Sequence, residues 1–317
     1  MVGALCHSDK LQSISMSRNG CGGISTCRAF GRILVTHALT SLMLSGMNNP
    51  ILDEQGPSIV SGIRFCRSLC VLDLSANLIG DVTMFEFETA CLNHPKLRVV
   101  NLEGNIITDQ GSYSLSKVSR QFQSLNVSHN KIGQNGIAAL LASLGLSNCR
   151  LESLYVHRNN FEDTSASGGI GSNGIAQNTT LRTLNLSFMK IEDANSLGAG
   201  LIMNKFLVSI DFSQNELECN AVQFMANIAS NQHLEFVDFS SNRIRTRGAL
   251  WILKGLAEKI RSQSKKMIQV HLHKNFYNEQ LNDVLTSMNN RQLSAAARIQ
   301  RYAFTLTFVR KKIVTNF

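Results

Sequence analysis

The residues best suited to binding chemistry in this sequence lie in two short segments. Tyr155, His157 and Arg158 fall within four positions of one another, and His271 and His273 lie two positions apart. Two histidines at that spacing on a strand share a face and could hold a metal ion. No third ligand type is apparent near the histidine pair, so we interpret it as part of a capping surface.

Common catalytic and cofactor motifs are missing from the sequence. The glycine-dense segment 168–174 contains no lysine to hold a phosphate, and its composition indicates a loop or a loose helix. The eight cysteines are scattered, without a CxxC pair or zinc-ligand spacing. We therefore predict a protein that is not an enzyme and has no metal and no cofactor.

The elements that must position these residues recur along the chain. Residues 69–77, LCVLDLSAN, fit the pattern L-x-x-L-x-L-x-x-N, and the same nine-residue frame occurs ten times at a mean spacing of about 28 residues. We number the frames 1 to 10. They begin at Leu11, Leu39, Leu69, Leu97, Phe122, Leu151, Leu181, Leu207, Leu234 and Met267.

The ninth position of the frame is asparagine in eight of the ten frames, with Met47 and Met189 as the exceptions. A buried amide side chain supplies donors and an acceptor to backbone groups where the chain turns out of a sheet. Stacked frames therefore predict a ladder of asparagines. Asn48, one position late, is a candidate substitute in frame 2. No substitute follows Met189, and we expect a local irregularity there.

A helix-like stretch follows each frame. In residues 132–144 the apolar residues fall at helical spacing, and an I-x-x-x-G opening recurs at Gly111, Gly136 and Gly248. One strand–turn–helix unit cannot bury its apolar face alone, so neighbouring units must stack.

This pattern resembles the leucine-rich repeat family, specifically its ribonuclease-inhibitor type, over about residues 10–276. The resemblance implies an α/β solenoid, a horseshoe of about ten repeats with parallel strands on the concave side and helices on the convex side. It also implies that the protein acts in protein–protein recognition rather than in catalysis.

Strand alternation places the third, fifth and seventh residues of each frame on the concave face. Most of these residues are the ones that the repeat motif itself prefers, and we give them little functional weight. The departures are candidates for protein binding, because exposed aromatic residues with arginine are typical of interface hot spots. An alternative for the two phenylalanines is packing beneath a loop. The candidates are Tyr155, His157, Arg158, Phe188, Phe236, His271 and His273.

Charge is distributed unevenly along the chain. Residues 1–242 contain 16 Lys and Arg against 19 Asp and Glu, whereas residues 243–317 contain 15 against three. A basic end on a near-neutral body indicates an anionic partner, such as nucleic acid, an acidic protein surface like a microtubule, or a membrane. A solubilising tail is the alternative.

Residues 277–290 have the apolar spacing of a capping helix over the last repeat, and residues 291–317 have a heptad-like apolar stripe flanked by basic residues. The stretch from Ala295 to Arg310 also resembles a degenerate IQ motif, the helix bound by calmodulin-like light chains. Alternating apolar residues leave a strand as the minor alternative. The candidate residues of this extension are Ile299, Gln300, Tyr302, Leu306, Arg310, Lys311 and Lys312.

From these features we predict a leucine-rich repeat domain over residues 1–276, a capping helix over 277–290 and a basic helical extension over 291–317. The expected function is a non-catalytic interaction scaffold of a cytoskeletal or ciliary assembly. The alternative is a regulator of a small GTPase or another signalling enzyme, acting through the concave face. Residues 1–10 contain no apolar run suited to a signal peptide, and no apolar stretch is long enough to span a membrane, so we expect a cytoplasmic protein with free thiols.

Overall fold

A computed structural model describes residues 10–19, 22–46, 48, 50–160, 172–192, 194–218, 224, 228, 231–261 and 269–276. These residues form an α/β solenoid with a single parallel sheet of ten strands in sequence order. The strands are β1 (Ser13–Ser15), β2 (Ser41–Met43), β3 (Val71–Asp73), β4 (Val99–Asn101), β5 (Ser124–Asn126), β6 (Ser153–Tyr155), β7 (Thr183–Asn185), β8 (Ser209–Asp211), β9 (Phe236–Asp238) and β10 (Gln269–His271).

Helices connect the strands and stack against one another. They are α1 (Ile24–Thr36), α2 (Pro57–Val60), α3 (Asp81–Cys91), α4 (Asp109–Val118), α5 (Gln134–Ser143), α6 (Ser172–Gln177), α7 (Asn195–Met203) and α8 (Thr246–Arg261), and 3₁₀ turns span Ser61–Arg64 and Ser119–Gln121. The first glycine-dense residues, 168–171, lie outside the described residues, but Gly174 is in α6. Its helix is packed so tightly that a Cβ on Gly174 would lie 2.1 Å from the carbonyl oxygen of Leu141.

Every strand pairs with the next in the same register. Leu72 of frame 3, for example, lies opposite Leu42 of frame 2 and Val100 of frame 4. The third, fourth and fifth positions of each frame therefore form columns across the sheet, with the apolar fourth position buried in every strand. The ten-repeat fold expected from the sequence is confirmed.

Asparagines in the ninth position form the expected ladder. The Oδ1 atom of Asn130 accepts a hydrogen bond from the backbone N–H of Ile107 in the preceding unit at 3.0 Å. Its Nδ2 atom donates to the carbonyl oxygens of Leu102 and Val127. The same bonds recur at Asn77, Asn105, Asn159, Asn215, Asn242 and Asn275. Each amide thus joins two successive units through their buried backbone.

The two methionine positions behave differently from the ladder. Met189 is fully buried, and the Oδ1 atom of Asn215 accepts from the backbone N–H groups of both Met189 and Ile191, at 2.8 and 3.1 Å. The strand register on either side is unchanged, so the irregularity is confined to this shared acceptor. Met47 lies outside the described residues. Asn48 is exposed, so it does not replace a buried ladder amide.

A second set of buried polar side chains, which the sequence did not lead us to expect, lies three residues before the first apolar residue of a frame. Asn204 accepts from the N–H of Leu207 and donates to the carbonyl oxygen of Asn178 in the preceding unit. Asn178 and Asn231 make corresponding bonds. His94 occupies the same place, with Nδ1 accepting from Leu97 and Nε2 bonded to the carbonyl oxygen of Cys66.

Aspartates connect the helices in a similar manner. Asp81 accepts hydrogen bonds from the N–H groups of Thr108 and Gly111 at the start of α4, and Asp109 does the same for Gly133 and Gly136 at the start of α5. A carboxylate is favoured there by the positive end of the helix dipole. A Cβ on Gly111 would lie 2.4 Å from Oδ1 of Asp81, which explains the glycine in the I-x-x-x-G opening.

Asp53 caps α3 in the same way. Burial alone would raise the pKa of Asp53, but hydrogen bonds from Thr83 and its neighbours outweigh burial and hold that pKa below its usual value.

The predicted capping helix (277–290) and the basic extension (291–317) lie outside the described residues. Within the part that the structure describes, no helix is long and apolar enough to cross a membrane.

Candidate functional site

In most frames the residue at the seventh position donates a hydrogen bond to the side chain at the fifth position. In frame 5, Oδ1 of Asn126 accepts hydrogen bonds from both the backbone N–H and the hydroxyl group of Ser128, at 3.0 and 2.6 Å. The same turn recurs in frames 3, 4, 7, 8 and 9, in each case with the Oδ1 atom of the fifth residue accepting from the N–H of the seventh. These side chains stabilise the exit of the strand. The same residue types therefore recur along the repeats because the backbone at each strand exit needs an acceptor.

Frame 6 departs from this arrangement. Tyr155 at the fifth position has no amide or carboxylate oxygen to accept these bonds, and His157 replaces the serine at the seventh. The His157 ring lies edge-on to the ring of His129, with 5.5 Å between centroids. Its Nδ1 atom is buried and has no hydrogen-bond partner.

The electrostatic environment of His157 favours a neutral ring. Burial, and then the nearby His129, lower the pKa of His157 below that of a free imidazole, while Glu103 and Asp211 act in the opposite direction. The site therefore presents an uncharged ring with an unsatisfied nitrogen at neutral pH. Because that nitrogen is buried, a partner arriving from solvent would contact the half-exposed part of the ring rather than Nδ1.

Arg158 and Phe188 form a pair just after the ends of the central strands β6 and β7. The guanidinium carbon of Arg158 lies 4.2 Å from the centroid of the Phe188 ring, within the range of a cation–π contact. Phe188 remains 40% exposed, so it does not pack beneath a loop. Tyr155, His157, Arg158 and Phe188 thus fall on two adjacent frames, and we call these four residues the frame 6–7 cluster.

Both members of this pair lie in the turn after the strand rather than on the strand itself. Arg158 and Phe188 occupy the eighth position, where the backbone has positive φ, 54° and 56° respectively. All ten frames have positive φ at this position, although only frames 2 and 4 have glycine there. The left-handed backbone at the strand exit is therefore kept whether or not the residue is glycine.

The other candidates form a separate group on frames 9 and 10. The ring of Phe236 contacts that of His271 at 5.0 Å between centroids, and His273 lies 6.1 Å from His271. Nδ1 of His271 is 3.7 Å from a carboxylate oxygen of Asp238, and its Nε2 atom lies 2.8 Å from the amide nitrogen of Gln269. Phe236 is half-buried against this neighbour.

The two groups are separate surfaces, because β8 lies between the strands that hold them. No cluster of three or more His, Cys, Asp or Glu suited to a metal ion occurs among the described residues. Five described cysteines are free thiols, and burial raises the pKa of Cys27 and Cys91. The residues proposed for the C-terminal extension, Ile299 to Lys312, lie outside the described part.

Two neighbours of the frame 6–7 cluster were not expected from the sequence. His129 holds the edge-on contact with His157, and Glu103 accepts a hydrogen bond from the Asn126 amide at 2.9 Å while facing the same ring. Glu103 is itself a departure from serine at the seventh position. That departure from serine is the sequence feature from which Glu103 could have been predicted as part of the site.

A family model supports the repeat assignment for three segments of the chain. A family model described as Leucine Rich repeat matches residues 118–141, 177–194 and 230–252. An internalin from Listeria monocytogenes is similar over 92% of this chain and 93% of its own, with 14% identity and a TM-score of 0.47.

The receptor kinase HAESA of Arabidopsis is similar in two solved structures. In complex with the peptide hormone IDA and a co-receptor it matches 75% of this chain at 22% identity and a TM-score of 0.51. Its ectodomain with an extended IDA peptide matches 71% at 22% identity and a TM-score of 0.44. This chain spans only 39% and 37% of those two receptor chains. The strand order and register show an α/β solenoid, and three segments of it are similar to leucine-rich repeats.

Proposed function

We propose that the protein is a non-catalytic scaffold that binds a protein partner through the frame 6–7 cluster. The observation that carries this proposal is the loss of the fifth-to-seventh turn in frame 6. In frames 3, 4, 5, 7, 8 and 9 the fifth side chain accepts from the backbone of its own strand exit, whereas frame 6 has Tyr155, His157 and Arg158 beside the exposed ring of Phe188.

The chemistry of the cluster suits a protein surface rather than a small charged substrate. Tyrosine, arginine and phenylalanine combine large contact areas with hydrogen-bonding or cationic groups, and such residues dominate the binding energy of interfaces. Ten strands at about 4.8 Å spacing give a concave wall roughly 43 Å long, which is sufficient for a folded domain. The second group, at Phe236, His271 and His273, would extend the contact toward the end of the wall.

The test is affinity purification with mass spectrometry, comparing the unchanged protein with Tyr155→Ala/Arg158→Ala. Partners of the concave face should be lost from the double variant, with the melting temperature nearly unchanged. Arg182→Ala/Phe206→Ala is a matched control, because Arg182 lies 5.5 Å from the Phe206 ring in another arginine–phenylalanine pair, with Arg182 before β7 rather than in the turn after it. Retention of every partner by the first variant, with loss in a variant of the convex residues Arg245 and Arg247, would refute the assignment to the concave face.

For the basic extension, the proposal is attachment to an acidic protein surface in a cytoskeletal or ciliary assembly, or to a calmodulin-like light chain. Ile299→Asp/Leu306→Asp removes the apolar stripe, and Arg310→Gln/Lys311→Gln/Lys312→Gln removes charge. Recognition of the calmodulin type should depend most on the apolar pair, whereas electrostatic attachment should depend on the charges and weaken with salt. Intact association in both variants would reduce the segment to a solubilising end.

The second candidate function is regulation of a small GTPase or another signalling enzyme by the same cluster. It is distinguished by measuring the turnover of a captured enzyme. A single arginine or asparagine substitution that abolishes an effect on turnover without weakening binding would favour the regulator. A scaffold has no such residue.

A further inference from the structure

A groove runs between the first two helical segments of the solenoid, away from the frame 6–7 cluster. On α1 it is lined by Arg28, Gly31, Arg32, Val35 and Thr36, which share one helical face. On the other side it is lined by Ser58, Ser61, Gly62 and Phe65, at the same helical spacing across α2 and the following 3₁₀ turn. The cavity measures about 420 Å³.

Glycines create the floor of this groove. A Cβ on Gly31 would lie 2.0 Å from the carbonyl oxygen of Ser58, and a Cβ on Gly62 would lie 2.5 Å from the carbonyl oxygen of Gly31. The two backbones are therefore in direct contact, and no side chain fills the space above the crossing. The larger residues on either side then form walls around an open channel.

The walls are apolar at their tips and carry only positive charge. Val35 and Phe65 are 52% and 60% exposed on opposite sides of the channel. Segments Ile24–Thr36 and 57–65 contain Arg28, Arg32 and Arg64 and no Asp or Glu. By contrast, α3 and α4 are bridged by the Lys117–Glu88 ion pair, at 3.0 Å.

We propose that this groove, which we call the α1–α2 groove, binds an acidic amphipathic segment of a partner protein. Its apolar residues would lie between Val35 and Phe65, and its carboxylates would pair with Arg28 and Arg32. An apolar channel with a purely cationic rim is complementary to such a segment in both shape and charge. The 13 residues of α1 extend about 20 Å, the length of roughly four helical turns.

Other occupants fit the groove less well. The chain's own segment 291–317 contains six basic residues and no acid, so it has the same charge as the rim. An anionic membrane would satisfy the arginines, but a flat surface does not reach the floor of a channel. The inference is independent of the concave-face function, because the two surfaces share no residue.

The test is selection of peptides from a random peptide-display library on the full-length protein, followed by fluorescence anisotropy with the selected peptides. We expect enrichment of peptides with apolar residues three or four positions apart among Asp and Glu. Val35→Asp/Phe65→Asp should weaken their binding by about tenfold or more, as expected for the loss of central interface residues. Arg28→Gln/Arg32→Gln should weaken binding and reduce its salt dependence.

Val82→Asp/Phe85→Asp is the matched control, since these α3 residues are 55% and 50% exposed and lie outside the groove. This control and Tyr155→Ala/Arg158→Ala should both leave the selected peptides bound. The proposal is overturned if no acidic peptide is enriched, or if enriched peptides bind the Val35/Phe65 variant unchanged. It is also overturned if only vesicles of phosphatidylcholine and phosphatidylserine bind, with dependence on the same arginines, since the occupant would then be a membrane.

Discussion

Frames 5 and 6 are adjacent in the sheet and in register, yet only frame 5 forms the hydrogen-bonded turn between its fifth and seventh residues. In frame 5 the Asn126 carboxamide accepts two hydrogen bonds from Ser128, so both side chains are satisfied within the strand exit. In frame 6 Tyr155 and His157 replace them, and the buried Nδ1 atom of His157 has no partner. Asn126 and Ser128 are therefore bonded within their own strand exit, whereas Tyr155 and His157 do not form this turn, and we propose that they contact a partner instead.

A departure at the ninth position has a different consequence, because the departing residue is buried. Asn130 accepts one hydrogen bond and donates to three carbonyl oxygens, whereas Met189 fills its position with a buried apolar side chain. Frame 7 nevertheless keeps its register because Asn215 accepts a second N–H. One departure can therefore be absorbed by the next unit of the ladder.

The largest expected effect is the loss of a ladder amide. Asn130→Leu should lower the free energy of unfolding by about 1–3 kcal/mol, because buried backbone groups lose their partners. Met189→Asn should be neutral or mildly stabilising, since frame 7 already folds without the amide. Chemical denaturation of both variants measures the difference. A large destabilisation by Met189→Asn together with no effect of Asn130→Leu would contradict the ladder.

A smaller effect is expected from the turn that distinguishes the two frames. Asn126→Ala should destabilise the protein by about 1 kcal/mol, since Ser128 loses its acceptor and Glu103 its donor. Tyr155→Ala removes no such turn and should change the melting temperature little while weakening partner capture. Thermal unfolding and pull-down of both variants test this. Equal loss of stability at Asn126 and Tyr155 would mean that Tyr155 is a structural residue.

Much of this fold could be predicted because apolar residues and asparagine recur at the spacing of the repeat. The frame at residues 69–77 gives β3 and the buried positions of Leu69, Leu72 and Leu74 directly. The ladder bond from Asn77 to the preceding unit follows from the need to satisfy buried backbone groups. These features depend only on local spacing and on one donor–acceptor rule.

Features that depend on contacts between units could not be predicted in this way. Asn178, Asn204 and Asn231 are three residues before frames 7, 8 and 9, but His94 before frame 4 is a different residue type that makes the same bonds. The Asp81 cap of α4 joins residues 27 positions apart. The α1–α2 groove depends on two glycines in different units, and only the packed structure shows that they meet.

His94 tests whether a different residue type can replace the buried asparagine that precedes other frames. Burial lowers the pKa of His94, and Arg67 and Arg98 add to that effect against the opposing hydrogen bond with Cys66. The unfolded chain therefore binds a proton more readily than the folded chain. The stability from the neutral ring is present above about pH 6.5, the ordinary value of imidazole, and is lost as the pH falls from there through the lower folded pKa.

His94→Asn should remove this acid sensitivity, because asparagine at the equivalent place in Asn204 makes both bonds without titrating. The measurement is the change in free energy of unfolding between about pH 7 and pH 5, which should be smaller in the variant than in the unchanged protein. His233→Asn is the control for the loss of an exposed imidazole. An equal pH dependence of all three proteins would exclude His94 as the titrating group.

The smallest expected effect concerns the eighth position, where every frame requires a left-handed backbone. A non-glycine residue there costs about 1 kcal/mol relative to glycine, partly offset by the greater freedom of glycine in the unfolded chain. Phe188 has φ of 56° and Ala76 has φ of 53°, so both bear this cost.

Phe188→Gly and Ala76→Gly should therefore change the free energy of unfolding by the same small amount, neutral to about 1 kcal/mol more stable. Only Phe188→Gly should also weaken partner capture, since it removes the exposed ring beneath Arg158. Unfolding and pull-down measurements on the two variants separate these effects. If Phe188→Gly destabilises the protein while Ala76→Gly does not, the ring is held for packing within the repeat and the comparison between frames does not mark a binding surface.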